Sequence, residues 1–185
     1  MTERFSAALA YASDLHRHQR RKGSGLPYVS HLLAVTALVM KAGGSEEECI
    51  AALLHDAVED QGGAATAREI RRRFGREVAR IVSGCSEDKS AGRTWAERKR
   101  AAVSSVAGAD ASVRLVLSAD KLDNALSLLA EHAESGESVW ELFGGGRQGT
   151  LWYYRAMADA IAEAGGSRLA GELRAAVEDL EALAE

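Results

Sequence analysis

The segment Ala51-Ala52-Leu53-Leu54-His55-Asp56-Ala57-Val58-Glu59-Asp60 constrains this chain more than any other. An apolar run delivers four titratable side chains within six residues. Residues four apart share a face of a helix, which sets His55 over Glu59 and Asp56 over Asp60. Such groups at the end of a buried helix cost folding free energy unless something compensates them. A divalent cation is the compensator that suits them.

Two further segments have the same character. His31 closes Pro27-Tyr28-Val29-Ser30-His31 and opens the apolar stretch Leu32-Leu33-Ala34-Val35. Asp120 follows Val113-Arg114-Leu115-Val116-Leu117-Ser118-Ala119, with Asn124 one helical turn beyond. His31, His55, Asp56 and Asp120 therefore form a candidate ligand set. Two imidazoles and two carboxylates suit manganese, iron(II) or magnesium, with positions open for water and substrate oxygens. A Cys-rich structural zinc site does not fit a chain whose cysteines are Cys49 and Cys85. His16, His18 and His132 lack carboxylates at metal spacing and are read as non-ligands.

The order His, His-Asp, Asp resembles the HD metal-dependent phosphohydrolases. Within that superfamily, the stretch from Gln19 through Arg20-Arg21-Lys22-Gly23 to Pro27-Tyr28 and His31 resembles the first motif of the (p)ppGpp hydrolases. Glu59-Asp60, the segment Phe74 to Gly84 and Ala119-Asp120-Lys121-Leu122-Asp123-Asn124 resemble their later motifs. The likeness runs in order from about Phe5 to Leu129. It implies an all-α, single-domain HD-type helical bundle. It also implies removal of the 3′-pyrophosphate of ppGpp or pppGpp, with one manganese ion per site. Carried over to this sequence, it makes Arg21, Lys22 and Tyr28 substrate contacts and sets Asn124 and Ser127 beside the nucleoside. Glu59 and Asp60, one turn past the ligands, are the candidates to orient or deprotonate the attacking water. Bifunctional members continue into a synthetase domain. This chain's length leaves no room for one, so the resemblance is to a small stand-alone hydrolase.

Three departures separate the chain from that pattern. Asp123 stands where His is common, Leu126 where Arg is common, and Cys85-Ser86 where Val-Thr is usual. They leave the ligands intact and bear on the base and ribose contacts. An HD phosphohydrolase acting on an adenine analogue, another 3′-phosphorylated nucleotide, or a nucleoside mono- or triphosphate is the alternative. A metal-stabilised alarmone sensor without turnover is the reading from outside enzymes, and the complete ligand set argues against it.

The 185 residues are expected to form one domain over 1–185, with terminal helices at about 151–183. A single proline, scarce aromatics and abundant alanine and leucine point to helices. The net charge of −4 argues against a general nucleic-acid binder. Arg17, Arg20, Arg21 and Lys22 supply local positive charge for a small anionic substrate. No membrane span or signal-like apolar core is apparent, and a reducing cytoplasm is the expected compartment. The apolar stripe of the terminal helices suits packing within the domain or a homo-oligomer interface.

Helical periodicity predicts helices at about 2–20, 29–41 and 46–58, the last opened by a Ser45/Glu48 capping box. Thr66 with Glu69 predicts a second box, opening a helix that ends at Gly75 and is followed by another at 77–83. Residues 85–93 read as a mobile loop at the site entrance. Helices are predicted again at 95–107, 111–130, 151–164 and 167–183, with no strands. Gly144-Gly145-Gly146 lacks the features of a phosphate-binding loop and reads as a plain turn. Trp152-Tyr153-Tyr154 reads as packing, and Arg155 as either a phosphate contact or a surface residue.

Overall fold

The computed structural model describes residues 1–87 and 92–183. Its helices are α1 (Glu3–Leu15), α2 (Val29–Lys41), α3 (Glu46–Leu54), α4 (Ala57–Asp60), α5 (Gly63–Cys85), α6 (Trp95–Ser105), α7 (Ala111–Ser135), α8 (Gly146–Glu163) and α9 (Arg168–Ala182), with short 3-10 segments at Val106–Gly108 and Gly136–Leu142. Among the described residues, extended pairing is limited to one isolated antiparallel bridge between Arg20 and Pro27. The expected all-α class is the observed one.

The helix α7 is the axis of the bundle. It packs against α2, α3, α5, α8 and α9. Val113, Val116, Leu117, Leu122, Ala125 and Leu128 carry it into the core. Leu32, Val35 and Val39 of α2 and Ile50, Leu53 and Leu54 of α3 meet it there, all fully buried. Burying a side chain of this size contributes roughly 1.5–3 kcal/mol. The terminal helices close the far side with Met157, Ile161, Leu169, Leu173 and Leu180. The apolar stripe of α8 and α9 is thus used inside the domain.

Local chemistry sets most helix ends. Ser45 and Glu48 form the expected capping box. A further box, Thr94 with Glu97, opens α6, and the Asp110 carboxylate caps α7 by accepting from the Ser112 and Val113 amides. The Thr66/Glu69 box does not form. The helix starts earlier, at Gly63, Thr66 donates to the Gln61 carbonyl, and Glu69 pairs with Arg72. Gly75 interrupts α5 as expected, because φ there is +90°, a value open to glycine and rare for other residues.

Two helices are shorter than their periodicity predicts. The first stops at Leu15, not Arg20, and the chain turns into a loop closed by Arg21 N–H to Leu26 O at 2.8 Å and Tyr28 N–H to Gln19 O at 3.0 Å. The third stops at Leu54, not Val58, and α4 restarts at Ala57. At that break His55 Nδ1 lies 2.8 Å from the Ala52 carbonyl, the acceptor an unbroken helix offers to the Asp56 amide. The imidazole thus competes with the helix that presents it.

The triple glycine has a packing role beyond a turn. Trp95, at the start of α6, lies on it: a Cβ added at Gly145 would sit 2.5 Å from the indole Cη2, and one at Gly149 3.1 Å from Cζ3. The absent side chains let the indole dock, and the docked indole anchors α6 over the cleft.

Candidate metal centre and flanking clefts

Three elements converge on one point. Early in α2 lies His31, in the break after α3 lie His55 and Asp56, and in the middle of α7 lies Asp120. All are shielded from solvent, His31, His55 and Asp120 almost completely. His31, His55 and Asp56 each offer a ligand atom, and these atoms lie within 4.8 Å of one another. Asp120 Oδ1 is 3.3 Å from His31 Nε2 and 3.6 Å from His55 Nε2. Asp56 Oδ2 is 3.0 Å from His55 Nε2 and 3.8 Å from His31 Nε2. Despite that proximity, both Nε2 atoms are buried with no hydrogen-bond partner among the described residues.

Buried polar atoms are costly when unsatisfied. Two imidazole nitrogens without a hydrogen-bond partner, facing two carboxylates, fit a divalent cation. The other edge of each ring supports this. A carbonyl can only accept, so His55 Nδ1 carries the proton and donates to Ala52 O, leaving Nε2 as a lone pair. His31 Nδ1 is 2.6 Å from Asp123 Oδ2, which orients that ring in the same sense.

The electrostatics point to the same need for positive charge. Burial works against a charged His55, but Asp56 and Asp120 outweigh it and raise its pKa well above the ordinary imidazole value. Burial likewise works to raise Asp56 and Asp120. The adjacent imidazoles, with Lys121 beside Asp120, overcome it and hold both carboxyls below the usual range. The carboxylates thus demand positive charge, which a proton or a cation can supply. Tyr28, its pKa raised by burial and then by Asp56, stays protonated and donates to Asp56 Oδ2 at 2.5 Å.

A cleft opens on each side of this centre, and Tyr28, Glu59 and Asn124 line both. One cavity, of about 350 Å³, has a basic wall of Arg93, Arg98, Lys99 and Lys121. Lys99 pairs with Glu87 and stands 4.5 Å above the Tyr153 ring. Lys121 Nζ is 2.6 Å from Asp120 Oδ2. The second cavity, also about 350 Å³, is lined by Arg20, Arg21, Lys22, Asp60, Ser127 and Tyr154 among others. Arg21 donates to Asn124 Oδ1 at 2.8 Å, and Asn124 Nδ2 donates to Asp120 Oδ1 at 2.5 Å, linking the basic loop to the centre.

His31, His55, Asp56 and Asp120 thus lie at the centre, and Arg21, Lys22, Tyr28, Glu59, Asp60, Asn124 and Ser127 line a cleft beside it, whereas Arg17 lines neither cleft and pairs with Asp14. Glu59 accepts from the Glu87 amide at 3.0 Å, and Asp60 from Gln19 Nε2 at 2.8 Å. Of the expected loop at 85–93, Cys85, Ser86, Glu87 and Arg93 line the first cavity; residues 88–91 lie outside the described part. Burial pushes the Cys85 thiol well up, so it is an apolar wall and no nucleophile. Tyr153 and Tyr154 pack as expected and also line one cavity each. Arg155 pairs with Glu181 on α9, which makes it a helix-to-helix tie.

Sequence reasoning missed Asp123, the basic wall, and the support behind Asp60. That support starts from His16, which stacks on Tyr28 with centroids 5.2 Å apart and meets Gln19 Oε1 at 2.7 Å. The basic face Arg98-Lys99-Arg100 was visible in the sequence, but nothing local ties it to a centre formed mostly from residues far up the chain. The departures Asp123 and Leu126 line neither cavity. Asp123 sits behind His31 and Leu126 is exposed.

Fold and centre together define an HD-type hydrolase, and the sequence matches the HD domain model over residues 8–151. The chain belongs to the HD-domain family. It is 40% identical over 138 residues to the guanosine-3′,5′-bis(diphosphate) 3′-pyrophosphohydrolase MESH1 of Danio rerio, covering 72% of this chain and 74% of that one. The MESH1 of Drosophila melanogaster is 37% identical over 129 residues, 65% of this chain and 67% of that one. A solved structure described as a metazoan ortholog of SpoT that hydrolyses ppGpp superposes with a TM-score of 0.80 at 27% identity, over 97% of this chain and 96% of that one. No helix among the described residues is long and apolar enough to cross a membrane.

Proposed function

We propose that this protein is a manganese-dependent hydrolase of the 3′-pyrophosphate of ppGpp and pppGpp, releasing GDP or GTP and pyrophosphate, and that it works in the cytoplasm. The observation that carries the reading is the pair of orphaned Nε2 atoms facing two carboxylates between two basic clefts. The relatives' names supply the substrate class.

His31, His55, Asp56 and Asp120 hold the ion. When bound, it supplies Lewis acidity toward a phosphoryl oxygen and toward water. Glu59 borders both clefts and serves as the proton acceptor for the attacking water. Asp60, held by Gln19, orients that water from the second cleft. Arg21, Lys22, Asn124 and Ser127 bind the nucleoside side of the substrate in the second cleft, where Tyr154 offers a ring face. Arg93, Arg98, Lys99 and Lys121 gather phosphate charge in the first. Cations preorganised there stabilise charge that develops on the leaving pyrophosphate.

A substrate panel tests the reading. Purified protein with manganese should release pyrophosphate from ppGpp and pppGpp, and should leave GTP, dGTP and nucleoside monophosphates intact. Faster turnover of a nucleotide lacking a 3′-pyrophosphate would replace this reading with another HD phosphohydrolase activity. Tight ppGpp binding without turnover in the manganese-loaded protein would make it a sensor.

A further inference from the structure

The two imidazoles of the centre are supported differently. His55 rests on a neutral backbone carbonyl; His31 rests on a carboxylate, with Asp123 Oδ2 2.6 Å from its Nδ1 across 92 residues of chain. We propose that Asp123 is a positioning residue for the metal, acting on the ion through His31. The inference rests on the metal reading above.

A carboxylate can only accept, so the pair fixes the proton on His31 Nδ1 and leaves Nε2 as a lone pair aimed at the ion. The short distance is that of a charge-assisted hydrogen bond, which holds the ring's orientation as a ligand. Asp123 also completes the charge of the site. With neutral imidazoles, Asp56, Asp120 and Asp123 bring three negative charges and Lys121 one positive, so a divalent ion leaves the centre neutral. Without Asp123 the loaded centre carries a net positive charge in a buried setting.

Geometry gives α7 a double task. It presents the ligand Asp120 toward the ion and, nearly one turn on, Asp123 toward the back of His31. The same helix therefore sets the register between ligand and support. Asp123 lines neither cavity, so its effect reaches the ion and bypasses the substrate contacts.

The test is manganese affinity, measured by chelator competition on the intact protein for wild type, Asp123→Asn and Asp123→Ala. Both variants should bind manganese about 10- to 100-fold more weakly. The melting temperature of the metal-free Asp123→Asn protein, which keeps an acceptor oxygen for His31, should stay close to that of wild type, as should KM for ppGpp at saturating manganese. The isosteric Asn variant guards against misfolding of the Ala variant. Manganese affinity within twofold of wild type in both variants would overturn the proposal, as would a raised KM at saturating metal with unchanged metal affinity. Failure of the wild type itself to bind manganese would instead sink the metal reading.

Discussion

The metal centre and the basic wall of the neighbouring cleft are built on opposite terms. At the centre, each donor is held by a second group: His31 by Asp123, His55 by Ala52 O, Asp56 by Tyr28, and Asp120 by Asn124 and Lys121. All of these stand on or beside buried helices. Apart from Lys121 of α7, the wall consists of long, half-buried or exposed cations on or near α6, a helix with no fully buried residue of its own, seated through Trp95, Ala102 and Val103. In the proposed reading, chemistry sits on buried elements and charge recognition largely on the less buried α6. Removing a proposed ligand from the centre should therefore be all-or-none, while changes in the wall should be graded and salt-dependent.

Asp56→Ala gives the largest contrast. It deletes a ligand that also receives the Tyr28 hydrogen bond, and metal binding and turnover should disappear together. Calorimetric metal titration alongside a turnover assay checks this, and normal turnover would remove Asp56 from the centre. Next is Glu59→Gln, which should keep the metal and lose roughly 10²- to 10⁴-fold in kcat, the range for a lost general base. An unchanged kcat with a raised KM would move Glu59 from the chemistry to the wall.

Lys99→Met sharpens the comparison from the other side. It keeps the stem over Tyr153 and removes the charge. A charge-assisted hydrogen bond is worth about 1.5–3 kcal/mol, so KM for ppGpp should rise about tenfold or more while manganese affinity holds. The dependence of KM on ionic strength should flatten. Gly145→Ala should have the smallest effect. The added methyl meets Trp95 at 2.5 Å, and the overpacking should cost about 1–3 kcal/mol of stability, read by denaturant unfolding. Activity should change only a few-fold, through a shifted α6.

Much of the centre was legible in the sequence because its residues begin or end apolar runs, where titratable groups demand an explanation. The all-α class followed from composition and periodicity, and α2 kept the predicted bounds. The helix break at His55 was hidden, because apolar periodicity continues through Val58 while a side chain takes over a backbone acceptor. Asp123 looked like a change in base recognition. Its contact with His31 spans 92 residues and exists only in the fold. The basic wall was equally hidden, since helical arginines and lysines are usually solvated and the place of these beside a cleft comes from tertiary packing.

The central claim is that one buried cation, held by His31, His55, Asp56 and Asp120, drives pyrophosphate release from ppGpp. The most direct test titrates manganese into metal-stripped protein and follows bound metal and pyrophosphate release on the same samples. Turnover should rise in proportion to occupancy, saturate at one ion per chain, and vanish with EDTA. Full turnover in the stripped protein, or saturated metal without pyrophosphate release, would contradict it.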